Sequence, residues 1–376
     1  MTEPRGSGTA PLAGVRVLEL AGTLPGPYCG HLLRLLGATV IKLEPPSGDP
    51  LRTMMPAMFE AFNRGKRSVV VDLKRPDAPD IVAGMIPGVD VVIEGFRPGV
   101  ADRLGVGAAR LRALRPDLIY CSLSGFGQTG LRSDRPGHDA TYAAIAGVLL
   151  PVARGKGVPR MSPVPLGDLA AGLMAAFLVV TALLERVRRG DGRAFDLAIA
   201  DVLLSWGVAR GAEALQGSIP EAASQEPPTH DVFETLDGRY VALGAIEDKF
   251  WVRLCKAIGR DDWLSREELA SNSGRAEADW LRSELRAEFL QRDAQTWVTL
   301  GEVNGVPIEH VRRLDEALSD EAFRERSFVR DVDGVIAVGL PVVAEPPLAV
   351  DPLTAAPALG ADTRLVLEEL GLEDPS

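Results

Sequence analysis

Cysteine is nearly missing from this chain: Cys29, Cys121 and Cys255 are the only three in 376 residues. An odd number at wide spacing leaves neither a disulfide framework nor a zinc-ligand pattern, and it points to a reduced, cytoplasmic setting. Histidine is sparse, with four residues, and aromatic residues make up only 5%. Basic residues are outnumbered, 41 Lys and Arg against 52 Asp and Glu, for a net charge of −11. That balance excludes a nucleic-acid-binding surface, which needs positive charge. A polyanionic ligand would have to be met by a local group of cations, and one stands at "NRGKRS" (63–68), followed by Lys74 and Arg75. No apolar h-region opens the chain, so no signal peptide is expected. The most apolar run, "LAAGLMAAFLVVTALL" at 169–184, follows an aspartate and falls short of a membrane span. It is expected to be a buried core helix, with no membrane partner.

At 376 residues the chain exceeds one ordinary hydrophobic core, so two domains are expected. A hydrophobic fraction of 46% with 25% charged residues is that of a globular protein. "VRVLEL" (15–20), "TVIKLE" (39–44), "SVVVDL" (68–73), "VDVVIEGF" (89–96) and "LIYCSLSG" (118–125) read as buried strands, with helical segments between them. The first of these segments, "GPYCGHLLRLLG" (26–37), is closed by Gly37. The alternation specifies an α/β fold, a doubly wound parallel sheet covered on both faces. "GSIPEAASQEPPTH" (217–230) has linker composition. Beyond it, "HDVFETLDGRYVALGAI" reads as a hairpin turning at Asp237-Gly238, and 247–330 as helices with short strands. The expected domains are thus 1–216, large and α/β, and 217–330, the linker with a smaller α+β domain. The tail is Pro-rich and then helical, and is expected to pack back on the first domain.

"GFGQTG" (125–130) fits G-x-G-x-x-G after a strand, yet no helix opens after Gly130 and the residues about 20 positions on are apolar, so it reads as a turn. His138, in "DRPGHDATY", sits where a broken loop enters an apolar, helical stretch. There it is either a packed histidine or a proton shuttle. Asp168, in "PLGDLAAG", meets the long apolar helix, as an N-cap or as a functional carboxyl beside helix-start donors. Glu247 precedes "DKFWVRLCKAIG" and is also a helix-start carboxylate. None of the three decides anything alone.

Together, "PGHDATY", "PLGDLAAG" and "ALGAIEDKFW" resemble the active-site segments of the α-methylacyl-CoA racemases, within the family III CoA-transferase superfamily. The resemblance runs over nearly the whole chain, through "LAGVRVLELAGTLPGPYCGHLLRLLGATVIKLEPP", "NRGKRSVVVDLK", "VIEGFRPGVADRLGVG" and "LIYCSLSGFGQTG". Racemases and CoA-transferases share this scaffold. Asp168 is common to both, whereas His138, "LPGP" (24–27) and "GAIEDKF" favour the racemases. The chain departs from its relatives at "SQEPPTHDVF", with His230 near an expected tyrosine, and at Pro45-Pro46, where an arginine is usual.

The resemblance implies a large domain completed by residues 331–376, an interlocked homodimer and an acyl-CoA thioester substrate. It implies no metal and no cofactor beyond the CoA of that substrate. The catalytic residues it implies are His138, Asp168 and Glu247, the last from the other subunit. Its CoA path runs along Val70, Val71, Asp72, Leu73, Lys74, Arg97, Arg103, Gly137, Asp139 and Tyr142. Inverting a carbon next to a thioester carbonyl needs one group to take a proton and another to return one. His138 suits one side; Asp168 suits the other if a close carboxylate, expected to be Glu247, keeps it protonated. Backbone N–H groups around Leu169 are the expected donors to the enolate oxygen. The reading is an isomerase of lipid metabolism that inverts 2-methylacyl-CoA. The alternatives are a family III CoA-transferase forming an acyl-enzyme on Asp168, and a non-catalytic acyl-CoA-binding dimer.

Overall fold

The structure, a computed structural model, describes residues 10–149, 161–211, 227–326, 328–332, 334–345, 348 and 354–372. Residues 1–9 and most of the linker, 217–226, lie outside the described residues. The β-rich runs form β1 (Arg16–Leu20), β2 (Thr39–Glu44), β3 (Arg67–Val70), β4 (Val91–Glu94), β5 (Ile119–Ser124) and β6 (Ala194–Ala198). They pair in parallel as one six-stranded sheet of order β3-β2-β1-β4-β5-β6. The order reverses between β1 and β4, and in such sheets a crevice opens beyond the strand ends at that reversal. β3 is shorter than expected because residues 71–73 leave the sheet and turn into a loop.

Helices cover both faces. They are α1 (Pro25–Leu35), α2 (Leu51–Met54), α3 (Pro56–Asn63), α4 (Ala78–Met85), α5 (Val100–Arg103), α6 (Ala108–Leu114), α7 (Asp139–Ile145), α8 (Leu166–Arg189) and α9 (Ile199–Gly211). One core joins Val17, Cys29, Leu33, Ile93, Ala171 and Leu203, from strands, α1, α8 and α9. The other joins Leu18, Ile41, Val82, Met85 and Leu111 with Val366 and Leu367 of the last helix, Thr363–Glu369. At 24 residues and a mean hydropathy of 2.0, α8 is long and apolar enough to cross a bilayer, and longer than the sequence suggested. It packs on α1, β5 and α7. Gly172 allows the close approach to α1, because a Cβ there would stand 2.6 Å from the carbonyl oxygen of Pro25.

The chain divides into two compact units, with residues 321–372 returning to the first. The boundary falls at 320 rather than 330 because the hairpin of β10 (Val329–Val332) and β11 (Val335–Val338) sets Ala337 against Leu35 of α1. The tail then fastens to edge strand β3 through polar groups. Ser68 N–H donates to Asp362, Val70 N–H donates to Thr363 Oγ1, and Arg67 pairs with Glu369. The second unit holds the antiparallel strands β7 (His230–Glu234), β8 (Tyr240–Gly244) and β9 (Ile308–His310), with Gly238 left-handed at φ 72° in the expected turn. Its core stacks Trp251 on Trp263 and Phe233 on Phe289.

Candidate active site

Beyond the ends of β1–β4, at the reversal of strand order, lies a cleft of about 530 Å³. Leu20, Leu43, Val71, Leu73, Phe96 and Leu104 give it apolar walls, and Asp72, Lys74 and Arg103 also line it. Pro45 stands in the same lining. Of the CoA path expected from sequence, Val71, Asp72, Leu73, Lys74 and Arg103 lie here. Val70 does not; its side chain meets Gly360 of the tail. Arg97 is exposed outside this lining.

Under the cleft, a buried polar network takes up Lys66 of the basic cluster that the sequence offered as a site for a polyanionic ligand. Glu19 and Lys42 stand opposite one another in adjacent parallel strands. Lys42 Nζ lies 3.1 Å from Glu19 and 2.8 Å from Asp49, and donates to the carbonyl of Ala21. Lys66 Nζ donates to Glu19 at 2.8 Å, to the Pro27 carbonyl and to Asn63 Oδ1. Lys66 is thus neither a phosphate ligand nor a solvated charge. Burial holds its ammonium down to about 8 against the pull of Glu19. Arg67 is committed to the tail, and Arg75 pairs with Asp77. His31, buried beside Lys66 and Arg34, is pushed down to about 3, first by burial and then by those cations. Glu44 ties the cleft wall to its surroundings by accepting from Arg52, Ser68 Oγ and the N–H of Asp49.

The junction of α7 and α8 brings together most of the remaining candidates. His138 is the residue before α7, extended and exposed, and its N–H donates to Thr141 Oγ1 at 2.9 Å. Tyr142 O–H donates to the Gly137 carbonyl at 2.6 Å, and its ring packs edge-on against Phe126. Gly125 and Gly137 both make room for that ring, since a Cβ at either would come within 2.5 Å of it. The Asp139 side chain crosses to α8, where Oδ1 accepts the N–H groups of Gly167 at 2.6 Å and Asp168 at 3.2 Å. Gly137, Asp139 and Tyr142 therefore build this junction and are not part of the cleft lining.

Asp168 is not the N-cap of α8. The helix starts two residues earlier, at Leu166, with Pro165 at the cap position, so Asp168 lies inside the first turn. Burial, and then the charge of Asp139, push its carboxyl up to about 7. Glu247, the expected source of that push, is an exposed N-cap residue of α10 (Asp248–Ile258) in the second unit, whereas His138 and Asp168 belong to the first. The donors expected around Leu169 are also taken, because its N–H donates to the Pro165 carbonyl. Sequence reasoning missed both Asp139 as the helix tie and the network around Glu19. The second had a signal: Glu19 and Lys42 interrupt strands that are otherwise apolar, and buried charges require partners.

The model of CoA-transferase family III matches residues 12–363. The chain is 33% identical to the α-methylacyl-CoA racemase of Mus musculus, over 96% of this chain and 93% of that protein. It is 32% identical to a succinate–glutarate CoA-transferase of Agrobacterium fabrum, over 96% of each. A crystal structure of a CAIB/BAIF family protein from Brucella suis superposes with a TM-score of 0.85 at 28% identity, over 96% of this chain and all of that one.

Proposed function

The chain belongs to CoA-transferase family III, and from that premise we propose that it is an acyl-CoA racemase, inverting the carbon next to the thioester carbonyl. The observation that carries this reading is the setting of Asp168, half-buried in the first turn of α8 with the Asp139 carboxylate on its own N–H. A transferase needs this carboxyl ionised, as the nucleophile that takes the acyl group. A racemase needs it able to hold a proton near neutrality, and burial beside Asp139 gives it that ability. His138, exposed on the segment tied to the same helix turn, supplies the second group, an imidazole.

In this mechanism the imidazole of His138 removes the C2 proton of a 2-methylacyl-CoA. The electron pair delocalises onto the thioester oxygen as an enolate. Asp168 then delivers its proton to the opposite face of C2, and the reverse direction exchanges the two roles. The cleft receives the nucleotide end of CoA: its apolar walls suit an adenine, and Lys74 and Arg103 suit phosphates. The reaction needs no metal and no cofactor beyond the CoA of the substrate. A homodimer is part of the proposal, with Glu247 supplied by the second copy. It is supported by an apolar stripe on α8, where Leu173, Phe177, Leu184 and Val187 are exposed.

Incubating the protein with (2R)-2-methylacyl-CoA in D₂O tests the reading. Epimerisation with deuterium entering at C2 is the expected result. CoA passing to an added carboxylate, with no exchange at C2, would replace it with the transferase reading, which the identity to the Agrobacterium enzyme favours. Ligand binding with neither reaction would leave only a binding protein.

A further inference from the structure

Asp139 is a residue for which the resemblance implied contact with CoA, but the structure gives its carboxylate other partners. One oxygen accepts two N–H groups at the start of α8, from Gly167 and from Asp168 itself. Gly167 permits this approach, because a Cβ there would stand 2.9 Å from that same oxygen. The residue before Asp139 is His138, whose backbone is held in turn by Thr141. The segment presenting the imidazole and the turn presenting the acid are thus joined through one side chain.

We propose that Asp139 is the positioning residue of this site, setting the separation of His138 and Asp168 by locking the segment before α7 to the first turn of α8. This rests on the racemase reading for its catalytic consequence. Two-sided proton transfer demands two groups at fixed spacing on either side of one carbon, and a displacement of about 1 Å can cost roughly a hundredfold in rate. The side chain also brings a negative charge to Asp168. Among the described residues, Tyr142 of α7 feels the charges of Asp168, of Arg97 in the loop after β4 and of Asp139, and Tyr28 of α1 lies near Gly172. Because the amides of Gly167 and Asp168 are occupied by Asp139, they are not donors to the enolate, contrary to what a helix N-terminus would suggest.

Two variants separate the lock from the charge. Asp139→Ala removes both; Asp139→Asn keeps an oxygen facing the amides and removes the charge. Epimerisation is followed across pH, and the Asp168 carboxyl is titrated by carbon NMR in the folded proteins. Asp139→Ala is expected to lower kcat about a hundredfold with KM within about twofold. Asp139→Asn is expected to recover most of kcat at acidic pH and to move the alkaline limb, and the Asp168 midpoint, to lower pH. A rise in KM alone would overturn the proposal and return Asp139 to CoA contact. Unchanged kcat and an unmoved midpoint would overturn it too, with epimerisation by the parent protein leaving the racemase reading standing. Conversely, a parent protein without epimerisation would sink the racemase reading, and the lock would then be kept by a lower melting temperature for Asp139→Ala than for Asp139→Asn and overturned by equal ones. Thermal melting of Asp139→Asn guards against simple unfolding.

Discussion

At the Asp168 carboxyl, burial and a neighbouring negative charge act in the same direction. Its folded-state pKa of about 7 lies above the ordinary aspartate value of 3.8. The folded protein therefore binds this proton more tightly than the unfolded chain does. The stabilisation it gives is fully present below the unfolded pKa and is lost as pH rises through about 7. Asp168→Asn, which mimics the protonated group, is accordingly expected to raise Tm more in mildly alkaline than in acidic buffer, as calorimetry would measure. The same substitution should cut epimerisation by about 10²–10⁴-fold. In the direction where His138 takes the proton, kcat/KM should fall as pH rises past about 7, because Asp168 must arrive protonated. In the sequence, His138 and Asp168 stand out as candidates because each lies at a break between a loop and an apolar run, but only the family resemblance assigns them a shared chemistry. For Asp139 the resemblance implies a place on the CoA path, and its tie to the helix was not legible. Its partner amides lie 28 and 29 positions along the chain, and only tertiary structure brings them together.

Among the elements, the strands were the most readable, since an apolar run of strand length between turn residues has few other solutions. The start of α8 was misplaced by two residues because Pro165 and Gly167 look like loop residues, although proline is tolerated at a helix cap and the glycine serves packing. That small error changed the chemistry assigned to the Leu169 amide. The basic cluster before β3 was misread for another reason: charge in sequence says nothing about depth. Lys66, fully buried against Glu19, holds the α3–β3 connection to β1 and α1. Lys66→Met should lower stability by about 3–5 kcal/mol, seen as a shift in urea midpoint, since it leaves Glu19 with Lys42 alone. Lys66→Met together with Glu19→Leu should recover part of that loss, because the orphaned charge goes with its partner.

For the whole molecule, the family resemblance joins residues 331–376 to the large domain, and the compact first unit also takes in residues 321–330, including the start of β10. The proposed homodimer makes its own prediction. Phe177 is 63% exposed on α8, so Phe177→Glu should leave the monomer fold intact and shift sedimentation towards single chains. The attachment of the tail has a further consequence. Ser68 is closed off by a residue 294 positions later and Arg67 by one 302 positions later. During synthesis the outer margin of the sheet therefore waits, unguarded, until residues 362–369 have been made, while the second unit has everything it needs to form beforehand. Newly made chains thus pass through an interval in which β3 offers open pairing groups to any neighbour, and docking of the 362–369 segment is what ends it.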